Sequence, residues 1–368
     1  MSMNLCISRS NKYSYSETFI DNQIKALQPK ILLYEGWYPS ILPNEKSFLP
    51  FPFNFIFVRG GLRNIFPKIY HKIYTNLLAS YLQKNGIDTL LANYGLMGVA
   101  LADACEKANI RLFVHFHGFD ASEYKTLDTY KVRYKILFQK VEGIIVVSND
   151  MKKQLISLGA DSTKIYLNSY GVETNKFTGA LPETKNPIFI SVGRFTAKKA
   201  PQLTIQAFST VLTKVPNARM IMIGDGELWE ESKQIADKLN ILDKIDFQGK
   251  KSPEQIAEQL REARIFVQHS RIAENGDSEG TPNTVLEASA TGLPIISTRH
   301  AGIKDAVVHE ETGFLVEEGD WESMAEYMIQ LAQDPNLCGQ MGRAARKHIE
   351  KNYEMSKRVR TLKDILEN

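Results

Sequence analysis

Glu279 and Glu287 stand eight positions apart in Ser278-Glu279-Gly280-Thr281-Pro282-Asn283-Thr284-Val285-Leu286-Glu287-Ala288. A helix is expected to start inside this stretch. Thr281 is a good N-cap, Pro282 suits the first helical position, and Gly292 after Ala290-Thr291 reads as the stop. Glu279 then lies in the loop ahead of the helix and Glu287 in its second turn. Between them come the unpaired amides of a helix N-terminus, a natural seat for phosphate. Two carboxylates flanking that seat can each hold hydroxyls on either side of a diphosphate, which is the chemistry a nucleotide-sugar site needs.

Upstream, Ile190-Ser191-Val192-Gly193-Arg194 ends a strand, and Lys199 follows five residues after Arg194. An Arg and a Lys in such a loop are placed to neutralise a leaving diphosphate without a metal, although the same pair elsewhere is ordinary surface charge. Gly224-Asp225-Gly226-Glu227 also follows a strand, and its role is mainly that of a tight turn. Lys244 through Gly249 places a further loop at the same edge, where a base could stack or bond to main chain. In the first half, Val114-His115-Phe116-His117-Gly118-Phe119-Asp120 ends a strand. His117 could touch sugar hydroxyls, polarise an acceptor or steady developing charge; the plainer reading is a histidine capping a strand. His115 alternates away from it and reads as packing.

Parallel α/β sheets must position these residues, because short β-rich runs alternate with longer helical patterns along the chain. In the first half strands are expected at 3–7, 31–34, 55–58, 89–92, 112–115 and 144–148, with helices at 18–27, 65–83 and 97–107. In the second half strands are expected at 188–192, 220–223, 244–247, 265–268, 295–298 and 314–316. The helices there are 201–215, 228–239, 253–261 and 321–332. The polar stretch from Gly171 to Pro187 shows no sustained period and reads as a linker. Two open α/β domains are expected, at 1–178 and 179–352, binding ligand at the carboxyl ends of their strands. Met355 to Leu366 is a helical tail.

A length of 368 residues supports this two-domain division, and 43% hydrophobic with 24% charged residues is ordinary for a soluble globular protein. Cys6, Cys105 and Cys338 are scattered, without metal spacing or a disulfide framework, so a cytoplasmic setting is expected. Met1 to Ser8 is too short and lacks the basic lead of a signal peptide. No stretch approaches the roughly 20 apolar residues that span a bilayer. Residues 1–180 hold 21 Lys and Arg against 14 Asp and Glu, and the remainder 24 against 28. A basic first half suits an anionic membrane surface, or is simply solvated charge. Nucleic acid is not expected, since the excess is modest and forms no dense run.

Taken as an ordered set, these residues resemble the retaining glycosyltransferases of family four. The likeness rests on Arg194 and Lys199 after a Ser-Val-Gly strand end, Gly224-Asp225-Gly226-Glu227, and Glu279-Gly280-Thr281-Pro282 through Glu287. It runs on through Gly292-Leu293-Pro294-Ile295-Ile296 and Ala301-Gly302-Ile303 to Glu311-Thr312-Gly313-Phe314-Leu315-Val316, covering most of residues 187–320. The resemblance implies a GT-B architecture: two facing Rossmann-like domains, the donor held mainly by the second. A C-terminal helix, about 353–368, would return to the first.

By the same resemblance, Arg194 and Lys199, beside Gly193, grip the diphosphate. Glu279 meets hydroxyls of the transferred sugar, the amides of Gly280, Thr281 and Asn283 around Pro282 lie near sugar and phosphates, Glu287 holds the ribose, and His117 faces the donor sugar. Ser16-Glu17-Thr18-Phe19-Ile20 with His117-Gly118-Phe119-Asp120 is similar to enzymes that assemble bacterial exopolysaccharide, capsule or lipopolysaccharide. Two departures stand out: Ser8 to Tyr13 replaces a Gly-Gly loop common in the family, and Glu227 stands where proline is frequent.

The expected activity is transfer of a hexosyl unit from a nucleoside diphosphate sugar to an acceptor hydroxyl with retention. It needs neither metal nor cofactor, and Glu279 positions the sugar rather than attacking it. A nucleotide-sugar epimerase of the same architecture, a transferase using a soluble sugar acceptor and a non-catalytic binding module are the alternatives. The acceptor would be a growing glycan or a lipid-linked one. The aromatic stretch from Trp37 to Phe57, followed by Arg59, Arg63, Lys68 and Lys72, could lie against the inner face of an anionic membrane, or its rings could pack the core.

Overall fold

The computed structural model describes residues 3–11 and 17–368. The chain divides into two compact units. One takes in Met1–Val147, Met151–Asn168 and Val359–Asn368, the other Ser148–Asp150 and Ser169–Arg358.

The N-terminal unit holds β1 (Leu5–Ser8), β2 (Ile31–Leu33), β3 (Thr89–Asn93), β4 (Arg111–His115), β5 (Gly143–Val146) and β6 (Ile165–Leu167). Their order in the sheet is β2-β1-β3-β4-β5-β6, all parallel. The C-terminal unit holds β7 (Ile188–Val192), β8 (Arg219–Ile223), β9 (Ile245–Gly249), β10 (Ile265–Gln268), β11 (Ile295–Thr298) and β12 (Gly313–Val316). Their order is β12-β11-β10-β7-β8-β9, again all parallel. Strands covered by helices on both faces are apolar throughout, which is why Ile144-Ile145-Val146 and Ile265-Phe266-Val267 do not alternate. Each sheet changes its direction of growth once, between β1 and β3 and between β7 and β10. Loops leaving the two strands at such a point diverge and open a crevice at their carboxyl ends.

Several expectations need correction. Residues 55–58 are not a strand: Phe55 caps the helix Ile56–Ile65. A short apolar run does not distinguish strand from helix, and here the flanking residues continue the helical turn. The sixth strand is instead Ile165–Leu167, an edge strand whose exposed Tyr166 and Leu167 weaken its apolar signal. The helix expected over 65–83 starts at Pro67 after the chain turns at Phe66. The helix after Glu279 is Asn283–Thr291, and Pro282, not Thr281, is its N-cap, because Pro282 has an extended ψ of 120°. Gly292 ends that helix in the left-handed region. Pro335–Asn352 forms an unexpected further helix.

Leu362 and Leu366 of the terminal helix Met355–Glu367 are buried with Leu5, Ile7, Leu91, Phe113 and Ile145 in the core of the N-terminal unit. Arg111 Nη2 donates to the Leu366 carbonyl at 2.8 Å. Among the described residues no helix is long and apolar enough to cross a membrane.

Candidate active site

The switch point of the second sheet borders a small recess whose lining includes Val192, Gly193, Arg194, Lys199, Met222 and Gln268. Three loops are laced together behind it. Gly193 N donates to the Ile223 carbonyl and Gly224 N to that of Gly249, at 2.9 and 2.8 Å. Gly224 has φ +139°, and a β-carbon there would stand 1.9 Å from the Gly193 carbonyl oxygen, so only glycine lets the β7 and β8 loops approach. The Gly224-Asp225-Gly226 turn is thus a structural support, and the Gly249 carbonyl is occupied by it. The Arg194 side chain is exposed and forms no ion pair with the described residues.

Glu279 lies in the loop between β10 and the helix Asn283–Thr291, and its carboxylate meets two lysines. Lys199 Nζ stands 3.4 Å from Oε2, and Lys198 Nζ 3.8 Å from Oε1. Lys198, which sequence reasoning passed over, also pairs with Asp277 at 3.1 Å. Burial favours the neutral acid, but Lys199, Lys198 and Arg194 overcome it and hold the Glu279 carboxyl at about 2. For Lys199 burial dominates and lowers its ammonium pKa, with Glu279 opposing. The Glu279 amide donates to His300 Nε2 at 3.1 Å, a partner no sequence motif announced.

Ahead of the helix, the Gly302 amide donates to the Gly280 carbonyl at 2.9 Å. A β-carbon on Gly302 would stand 2.2 Å from Thr281 Oγ1, so this glycine lets the two loops touch. The amides of Gly280, Asn283 and Thr284 donate to nothing among the described residues, as the first amides of a helix do. Thr284 Oγ1 donates to Gln268 Oε1 at 3.2 Å, tying the helix to the end of β10. Glu287, one turn on, is half-buried. Desolvation raises its carboxyl to about 7, with Lys176 pulling the other way.

His117 belongs to the other unit, just past β4. Its Nε2 donates to Asn93 Oδ1 at 3.0 Å, and its ring packs against Phe19 and Tyr94. Burial, helped by His115, holds its imidazole well below the ordinary value and so keeps it neutral. Asp120 accepts the amides of Gly95, His117 and Gly118, which fixes the loop. His115 is not merely packing: its Nδ1 bonds Gln23 Nε2 at 3.1 Å.

Residues 24–176 match the family described as Glycosyltransferase Family 4, and residues 172–348 match Glycosyl transferases group 1. The amylovoran biosynthesis glycosyltransferase AmsK of Erwinia amylovora is 31% identical over 285 residues, 76% of this chain and 70% of its own. This chain is a family-four glycosyltransferase. The putative colanic acid biosynthesis glycosyltransferase WcaL of Escherichia coli K12 is 28% identical over 76% of the transferase and 70% of its own length. The crystal structure of Anabaena Alr3699/HepE in complex with UDP and glucose superposes with TM-score 0.79 at 15% identity, covering all of both chains. That likeness is one of fold, and the fold is GT-B.

In this transferase the loop after β1 carries Arg9, almost wholly buried, paired with Glu17 at 3.3 Å and with Asp21. Glu17 also accepts the Tyr94 hydroxyl at 2.8 Å. The rest of the expected departure, Lys12 and Tyr13, lies outside the described residues, as does Ser16 of the Ser16–Ile20 stretch. Arg194, Lys199, Gly193, Glu279 through Asn283, Glu287 and Gly249 all fall in one unit, and His117 in the other.

Proposed function

We propose that this glycosyltransferase moves a hexosyl unit from a nucleoside diphosphate sugar to an acceptor hydroxyl with the anomeric configuration retained. The observation that carries the reading is the meeting of Glu279, Lys199 and a helix start with open amides at the β7/β10 switch point. Arg194 and Lys199 bind the diphosphate and take up the negative charge that grows on the departing oxygen, so the reaction needs no divalent ion. Amides of the helix start add to that field. Glu279, ionised throughout the working range, accepts hydroxyls of the sugar and orients it. Glu287 accepts the ribose hydroxyls. The anomeric carbon–oxygen bond breaks toward the diphosphate, the acceptor oxygen bonds to the same face, and its proton leaves with the departing phosphate. His117, neutral, faces the sugar as a hydrogen-bonding group.

Relatives named for amylovoran and colanic acid biosynthesis support a growing polysaccharide as acceptor. The aromatic stretch of the N-terminal unit supports a site of action at the cytoplasmic face of a membrane. Tyr38 and Tyr74 pack together, but Phe51 and Ile65 are 78% and 69% exposed, and Phe55, Phe66 and Ile69 are exposed as well. Arg63, Lys68 and Lys72 lie exposed among them, and residues 46–87 contain no Asp or Glu. Arg59 is withdrawn from that set, since Nη1 pairs with Glu35 at 3.1 Å.

The test is transfer by Glu279→Ala and Lys199→Ala, each expected to turn over at least about 100-fold more slowly while still folded, as circular dichroism would report. NMR of the product's anomeric proton reports the stereochemistry. Near-normal transfer by either variant overturns the residue roles, and inversion overturns the mechanism. An epimerase would instead alter the donor sugar with no acceptor present.

A further inference from the structure

Four neighbouring strands, in the order β12-β11-β10-β7, send their carboxyl-end loops to one line of side chains. Glu318 follows β12, His300 follows β11, Glu279 follows β10 and Lys199 follows β7. Contacts run along the whole line. Glu318 Oε1 stands 2.6 Å from His300 Nδ1, His300 Nε2 takes the Glu279 amide at 3.1 Å, and the Glu279 carboxylate pairs with Lys199 at 3.4 Å. Ser278 Oγ also approaches Nε2, at 3.1 Å. A backbone amide can only donate, so Nε2 carries the lone pair and Nδ1–H donates a hydrogen bond to the Glu318 carboxylate. Glu318 is itself anchored, because Oε2 accepts the Ile272 amide at 2.8 Å. His300 is 1% exposed, so the ring reaches no water.

We propose that His300, oriented by Glu318, is a positioning residue for the reaction. It acts through the main chain of Glu279, setting where that carboxylate meets the sugar. The inference rests on the reading of Glu279 given above. It has a further consequence for the site: the Glu279 amide is spent on His300, so anion contacts at the helix start fall to Gly280, Asn283 and Thr284. The same loop adds a second tether through Gly302 and the Gly280 carbonyl, so the segment around His300 holds the sugar loop at two consecutive residues. A misplacement of about 1 Å at a reacting centre costs on the order of 100-fold in rate.

The experiment compares His300→Leu and His300→Gln with wild type in transfer kinetics and in binding of the bare nucleoside diphosphate, which lacks the sugar. His300→Leu, which cannot accept the amide, is expected to lower kcat about 10- to 100-fold while affinity for the bare nucleotide stays within about twofold. His300→Gln offers an acceptor oxygen near the place of Nε2 and should recover most of the loss. Wild-type kcat in His300→Leu, or equal losses of kcat and nucleotide affinity in both variants, overturns the proposal. Should His300→Leu fail to fold, Glu318→Leu on the half-exposed rim decides in its place. A several-fold fall in kcat at unchanged nucleotide affinity supports the proposal, and unchanged kcat sinks it. Glu279→Ala run alongside separates the two readings: if that variant is fully active, the role of Glu279 itself has failed.

Discussion

On the proposed reading Glu287 holds the ribose, so the proton of its carboxyl bears on donor binding. Held at about 7 by burial, it is part neutral near physiological pH, and only the ionised form accepts two ribose hydroxyls. Donor binding through the carboxylate therefore releases a proton, and affinity strengthens as pH rises through 7. From pH 6 to 8 the ionised fraction of such a group grows about tenfold, and the donor Kd should fall several-fold. Glu287→Gln should flatten that slope in calorimetric titrations. Glu279 contributes none of it, being ionised well below this window at about 2. Lys199 bears on the alkaline side: its ammonium, lowered by burial, loses its proton earlier than an ordinary lysine, and if it grips the diphosphate as proposed, donor binding weakens there.

Among the elements, the terminal helix has the plainest energetic role. Its first turns are polar, but Leu362 and Leu366 are fully buried against β1, β3 and β4 residues. Leu366→Ala leaves a cavity beside Leu5 and Phe113, and removal of a buried leucine costs about 2–5 kcal/mol. Urea melts should show that loss in the N-terminal unit, and an unchanged midpoint would mean the helix end is not docked in solution. The helix Asn283–Thr291 shows a different economy. It has no side-chain N-cap, so its first amides lack that partner, at some expense in local stability.

At the scale of the molecule, the surplus of basic residues in the first 180 is not spread evenly. Between Lys46 and Ile87 it forms an acid-free run bearing exposed Phe51, Ile65 and Phe66. Phosphatidylglycerol vesicles should sediment the protein, neutral phosphatidylcholine vesicles should not, and salt should weaken the binding. Phe51→Ser with Phe66→Ser, or Arg63→Glu with Lys68→Glu and Lys72→Glu, should abolish sedimentation and leave turnover of a soluble acceptor unchanged. Sedimentation with neutral vesicles, or none with anionic ones, refutes this surface.

By itself the sequence determined the parallel α/β class, eleven of the twelve strands, the helix that ends at Gly292 and the placing of Arg194, Lys199, Glu279 and Glu287 in the second unit. These are legible because period, turn glycines and helix stops act over a few residues. Tertiary structure decided partnership. Lys198 and Lys199 look alike in sequence, yet both reach Glu279; Arg59 is neutralised by Glu35, while Arg63 stays exposed. The short apolar run at 55–58 became a helix, and Ile165–Leu167 became the edge strand. His300 acquired its place only because β10, β11 and β12 lie side by side, bringing residues 279, 300 and 318 together. Strand order is a property of the whole sheet, set by which packing of crossovers buries the most apolar surface, and no local spacing encodes it.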